Sequence, residues 1–200
     1  MEASTPALVQ PILTVTVNPA LDISTTTGVV SSGHKLRCGP SRLDPGGGGV
    51  NVARVVQRLG GRPLAIYTAG GPTGEAYRRL IEAERLPTLV VPIQGSTRQD
   101  FTVDETGTGQ QFRFVLQGPE LSEPEWRLCL GLVADSIQPG GYVVASGSLP
   151  PGVPEDFYAR IARLAREQGA RCVVDASGPA LAAALAEGVF LVKPSRRELG

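Results

Sequence analysis

One histidine, three scattered cysteines and two lysines are the scarce residues of this 200-residue chain, and each scarcity closes off some chemistry. With His34 alone, a Ser-His-Asp triad or a multi-histidine metal centre is disfavoured. Cys38, Cys129 and Cys172 are odd in number and far apart, giving neither a zinc spacing nor a disulfide framework. A reducing, cytoplasmic setting is therefore expected. Met1–Pro6 lacks a basic opening stretch, so no export leader is expected. No apolar run approaches the ~20 residues of a membrane span, so no membrane partner is expected. Charge is balanced, with 19 Lys+Arg against 19 Asp+Glu, which leaves no electrostatic footprint for nucleic acid. The basic residues are almost all Arg; only Lys35 and Lys193 are lysine.

What is present is ordinary globular material, 42% hydrophobic and 19% charged. Its length suits one domain or part of a larger one. Short apolar segments alternate with amphipathic ones. Strands are expected at Ile12–Val17, Leu64–Thr68, Leu89–Pro92, Tyr142–Ser146, Cys172–Asp175 and Phe190–Val192. They are bounded by Gly or Pro and only partly alternating, as in parallel strands buried on both faces. Helices are expected at Asn51–Leu59, Glu75–Leu86, after the capping-box pattern Ser122–Glu125, at Pro154–Gln168 and at Pro179–Glu187. This alternation predicts a layered α/β fold.

Two segments break the alternation. Residues 22–43 are polar and β-prone, at Ser24–Thr27 and again at Lys35–Cys38. Residues 99–117 read as a hairpin, with Phe101 and Val103 on one arm, Phe112, Phe114 and Leu116 on the other, and Gly107 and Gly109 at the turn. The pattern fits a separate lid or dimer face as well as an edge hairpin on the main sheet.

Several short patterns carry chemistry. Gly46–Gly49 runs into the helix expected from Asn51, and a glycine run before a helix N-terminus suits a polar or anionic ligand. It is neither a dinucleotide fingerprint nor a Walker A loop. Asp22 follows the first strand, where open α/β sheets bind ligands, and can accept hydrogen bonds from sugar hydroxyls; a turn aspartate has the same appearance. Arg98 and Arg113 sit on or beside the hairpin, either as phosphate forks or as solvated strand residues. Ser146-Gly147-Ser148 follows a strand and offers turn donors. Lys193–Glu198 follows the last strand, with Ser195 and Glu198 spaced as a helix cap and its partner.

Taken in order, Asn18–Asp22, Lys35–Cys38, Pro45–Arg54, Ala69–Glu75, Thr97–Gln99, Phe112–Val115, Ser146–Val153 and Lys193–Leu199 resemble the ribokinase-like (PfkB-type) carbohydrate kinases from Ile12 onward. The likeness is greatest to the phosphosugar branch that includes 6-phosphofructokinase, 1-phosphofructokinase and tagatose-6-phosphate kinase. The resemblance implies a Rossmann-like three-layer α/β core with a small β-sheet lid, over about residues 22–43 and 99–117, in one domain spanning 1–200. It implies transfer of a phosphoryl group from ATP, with Mg²⁺, to a sugar phosphate, foremost fructose 6-phosphate, and a homodimer through the lid. By position, Asp22, Gly46, Gly47, Asn51 and Ser148 match sugar-contacting residues, and Lys35, Arg98 and Arg113 match holders of the substrate's phosphate. Lys193 and Ser195 fall toward the nucleotide and Glu198 toward Mg²⁺.

Two departures qualify the match. The family carries Asn where this chain has Ser195, and serine is too short to reproduce that amide. The family's Gly-Ala-Gly-Asp segment, which supplies the catalytic base and the anion hole, would lie beyond Gly200. No catalytic base is therefore assigned in this chain, and the 200 residues alone are expected to be inactive as a kinase. A non-catalytic phosphosugar-binding protein is the alternative expectation.

Overall fold

The computed structural model describes residues 10–193. Six parallel strands form the main sheet: β1 (Pro11–Thr16), β4 (Arg62–Ala69), β5 (Thr88–Pro92), β8 (Tyr142–Ser146), β9 (Arg171–Asp175) and β10 (Leu191–Val192). Their spatial order is β10-β9-β8-β1-β4-β5. The strands are apolar on both faces because helices cover both. On one side, α1 (Gly48–Arg58) and α2 (Gly71–Ala83) bury Val50, Ala53, Tyr77 and Ile81 against Ala65 and Tyr67. On the other, α3 (Glu123–Ser136), α4 (Phe157–Glu167) and α5 (Gly178–Glu187) bury Trp126, Val133, Phe157, Ile161 and Ala184 against Val15, Ile66, Val143 and Val174. Alternation along β4 thus divides two cores between Ile66 and its neighbours Ala65 and Tyr67.

A second sheet stands apart from the first. It comprises β2 (Ala20–Thr27), β3 (Arg42–Gly46), β6 (Arg98–Glu105) and β7 (Gln111–Phe114), in the order β3-β2-β6-β7. The hairpin pairs Phe101 with Phe114 and Val103 with Phe112. It joins β2 through a parallel ladder rather than adding to the main sheet.

Some boundaries differ from those read in the sequence. The first helix begins at Gly48, inside the glycine run, not at Asn51. The second begins at Gly71-Pro72, where proline suits a first turn, and ends at Ala83 because Arg85 takes φ 55°, a left-handed stop. The fourth starts at Phe157, after a turn in which the Phe157 N–H donates to Pro154 O. Lys35–Cys38 forms no strand: Gly33 at φ 84° and Pro40, which has no N–H, interrupt the segment between β2 and β3.

Candidate active site

Asp44, Asp22 and Asp100 are direct neighbours across β3, β2 and β6 on one face of the second sheet. Like charges so placed repel. Each outer aspartate holds an arginine. Arg42 Nε donates to Asp44 at 2.6 Å, and Arg98 Nη1 lies 2.8 Å from both oxygens of Asp100. Asp22, in the centre, has no hydrogen bond or ion pair among the described residues. Burial, and then the charge of Asp100, push its pKa above the ordinary aspartate value, while Arg98 and Arg113 pull it back in part. A pocket of about 210 Å³ opens here, lined by all three aspartates and Arg113.

Arg98 links this pocket to a larger cleft of about 640 Å³, lined by Asn18, Arg98, Gly118, Ser148 and the start of α5. Its Nη2 donates to Asn18 O at 3.3 Å and its Nη1 to Leu116 O at 3.1 Å, while Nε is buried without a partner among the described residues. Across the cleft, Asn18 Nδ2 donates to Ser148 Oγ at 3.0 Å. Asn18 Oδ1 is buried and unpartnered among the described residues, and a Cβ on Gly118 would lie 2.1 Å from it.

The turn from β3 into α1 packs against Asp22, Thr16 and Ser146. Gly47 takes φ 136°, a conformation side chains resist. A Cβ on Gly48 would come within 2.0 Å of Ser146 Oγ, so the helix start lies directly against β8. Props from three elements hold this turn. Thr16 Oγ1 accepts the Val50 N–H at 3.1 Å, Tyr77 Oη donates to Gly46 O at 2.8 Å, and Arg54 Nη2 donates to Pro45 O at 2.7 Å. Burial drives the Tyr77 hydroxyl pKa strongly upward, so it stays a donor. The Val50 and Asn51 N–H groups are already used, the latter on Gly47 O, which narrows the anion site expected at this helix start.

At the carboxyl edge of the main sheet, Lys193 Nζ lies 3.2 Å from Asp175 Oδ1, and Asp175 Oδ2 accepts from Ser146 Oγ at 3.2 Å. An ammonium there suits an anionic group. Among the described residues no three His, Cys, Asp or Glu side chains gather to hold a metal by themselves; Asp175 is a carboxylate at this edge, and Mg²⁺ is usually held by one or two carboxylates with phosphates and water. Ser195 and Glu198 lie outside the described residues.

The structure therefore gathers Asp22, Arg98 and Arg113 on one sheet face and Gly46, Gly47 and Asn51 on the adjoining turn, with Ser148 across the cleft and Lys193 at the sheet edge. Lys35 lies on the exposed segment after β2, with no hydrogen bond or ion pair to the others among the described residues. Asp100, Arg54, Tyr77 and Asp175 escaped the sequence reading. Two left a signal: Asp100 is two residues past Arg98 on a strand, hence on the same face, and Arg54 lies three residues beyond Asn51 on a helix, hence beside it.

Known proteins are similar to this chain in sequence and fold. An ATP-dependent 6-phosphofructokinase isozyme 2 of Mycobacterium tuberculosis is 48% identical over 188 residues, covering 94% of this chain and 55% of that protein. The isozyme 2 of Escherichia coli is 44% identical over 189 residues, 94% of this chain and 61% of its own length. The crystal structure of phosphofructokinase-2 from Escherichia coli in complex with fructose-6-phosphate superposes with a TM-score of 0.90 at 44% identity, over 95% of this chain and 63% of that one. The chain thus spans between half and two-thirds of these relatives. A family model for pfkB carbohydrate kinases matches residues 22–200, and the chain belongs to that family, with its ribokinase-like α/β fold.

Proposed function

We infer that this chain carries the phosphosugar-binding part of an ATP-dependent sugar-phosphate kinase, with fructose 6-phosphate as the preferred substrate and fructose 1,6-bisphosphate as product. One observation carries the reading: a central carboxylate without an arginine of its own, Asp22, lies near two guanidinium groups, Arg98 and Arg113. A sugar phosphate supplies hydroxyls for the carboxylate and an anion for Arg113 and for the unpartnered Nε of Arg98.

In this reading Arg98 keeps Asp100 and offers its unpartnered Nε to the phosphate, with Arg113 beside it. Asp22 accepts from sugar hydroxyls, and Asn51 and Ser148 bound the sugar from the turn and across the cleft. Lys193 neutralises charge on the nucleotide side. ATP would supply the phosphoryl group, and Mg²⁺ would be held by residues beyond those described. Phosphoryl transfer rests on positioning and charge neutralisation. No residue here is given the role of base, and the chain alone is expected to bind without turning over.

A homodimer through the lid fits the apolar row Leu43, Ile23, Phe101 and Phe114, consecutive partners across the second sheet on the face opposite Asp22. Phe114 is 53% exposed. A phosphofructokinase-2 of Escherichia coli has been described in a tetrameric inhibited form.

Titration calorimetry with fructose 6-phosphate, fructose 1-phosphate, tagatose 6-phosphate and fructose tests the reading. Binding of a phosphosugar, tightest for fructose 6-phosphate and absent for fructose, supports it. Equal binding of fructose overturns the phosphate assignment. A coupled kinase assay on this chain separates a binder from an enzyme.

A further inference from the structure

Arg54 has no place in the reading above, yet it is tied to more of the turn than any predicted site residue. Its guanidinium donates from Nη1 to Asn51 Oδ1 at 2.6 Å, from Nη2 to Pro45 O at 2.7 Å and from Nε to Glu84 Oε2 at 2.5 Å. Its side chain is 15% exposed. The three partners come from three places: Pro45 is the penultimate residue of the lid strand β3, Asn51 lies in the first turns of α1, and Glu84 caps α2.

A guanidinium has donors and no acceptor. The amide atom of Asn51 that faces it must therefore be the oxygen, and the Asn51 nitrogen is turned away from Arg54. The geometry points to Arg54 as a positioning residue that locks the Asn51 carboxamide in one orientation, so that Asn51 presents N–H donors and recognises an acceptor oxygen of the sugar phosphate. The proposal rests on the sugar-phosphate reading for the identity of that oxygen, but not for the lock itself. Glu84 completes the lock by fixing the guanidinium plane, which a point-charged lysine cannot reproduce. The same fork holds Pro45 O, so the amide and the exit of the lid strand are set by one side chain.

Asn51→Asp separates this role from a merely structural one. A carboxylate at 51 would pair with Arg54 more strongly than the amide does, so the thermal midpoint should hold or rise. It has no donor to present, so fructose 6-phosphate affinity should fall by at least about tenfold. Arg54→Met and Arg54→Lys should each weaken fructose 6-phosphate binding about tenfold. In ¹H–¹⁵N spectra of both Arg54 variants, the two Asn51 side-chain amide signals should move toward the shifts of an unrestrained asparagine. Glu84→Gln is a milder variant should Arg54→Met fail to fold, and should loosen the same amide signals. Undiminished fructose 6-phosphate affinity in Asn51→Asp, or unchanged affinity and amide signals in both Arg54 variants, would overturn the proposal. If the unmodified chain binds no phosphosugar, the sugar-phosphate reading fails. The lock is then decided by the amide signals of the Arg54 variants, which need no ligand.

Discussion

Asp22 and Gly46 meet across the β2–β3 pair so closely that a Cβ on residue 46 would lie 2.2 Å from Asp22 Oδ2. The Gly46 backbone is not in the left-handed region, so alanine can adopt it, and the whole effect of Gly46→Ala falls on the carboxylate. Fructose 6-phosphate affinity is expected to fall at least about tenfold, as for loss of a charge-assisted hydrogen bond, while the thermal midpoint moves by only a few degrees. Calorimetric titration beside a melting curve checks both, and unaltered affinity would remove Asp22 from the sugar site.

The raised pKa of Asp22 makes a signed prediction. Folding favours its protonated form, because burial and Asp100 oppose the charge. In the window between the ordinary aspartate value and the raised one, the folded chain binds more protons than the unfolded chain. This group's share of stability is therefore full below that window and is lost as pH rises through it. Asp22→Asn should accordingly melt higher than the parent at neutral pH, and the gap should close toward the acid side of the window. The same variant should bind fructose 6-phosphate poorly throughout. A melting series across pH that shows no convergence would refute the assignment.

Arg98 and Asp100 invite a double-mutant cycle. Arg98→Ala leaves Asp100, 17% exposed, facing Asp22 without a counter-charge, and should cost about 1–3 kcal/mol. Adding Asp100→Ala removes the stranded charge and should return part of that stability without returning phosphosugar affinity. Urea denaturation reads the first quantity and calorimetry the second. If the double variant also regains affinity, Arg98 serves the fold and not the phosphate.

Tyr77→Phe tests the prop beneath the glycine turn. Tyr77 is fully buried, and its hydroxyl satisfies Gly46 O. Removing it leaves that carbonyl without the bond and should cost about 1–2 kcal/mol in urea unfolding. Phosphosugar affinity should fall as well, since Gly46 sets the place of Asp22.

Hydrophobic pattern and punctuation made the main sheet legible. The strand expected at Tyr142–Ser146 has those same ends, and the capping box at Ser122 appears as a Glu125 carboxylate accepting the Ser122 N–H at 2.7 Å. Local signals also revealed the hairpin, whose arms pair Phe101 with Phe114, because alternation about a glycine turn is self-contained. The partner of that hairpin was not legible: β2 lies some seventy residues upstream, and a parallel ladder leaves no mark in either strand. In the site, residue type marked out Asp22, Arg98 and Gly47. Which aspartate lacks an arginine depends on register across three strands, and the glycine turn's dependence on Tyr77 and Arg54 depends on how α1 and α2 pack. Neither is written in any one segment.

The chain passes between its two sheets at four places: between β1 and β2, from β3 into α1, between β5 and β6, and after β7. Asn18 lies in the first crossing, the glycine run in the second, Thr97 immediately before Arg98 in the third, and Gly118 in the fourth. Asn18, Arg98 and Gly118, at or beside three of these joints, line the cleft. Tilting one sheet on the other cannot leave the cleft unchanged, and a ligand that spans it would bear on three joints at once.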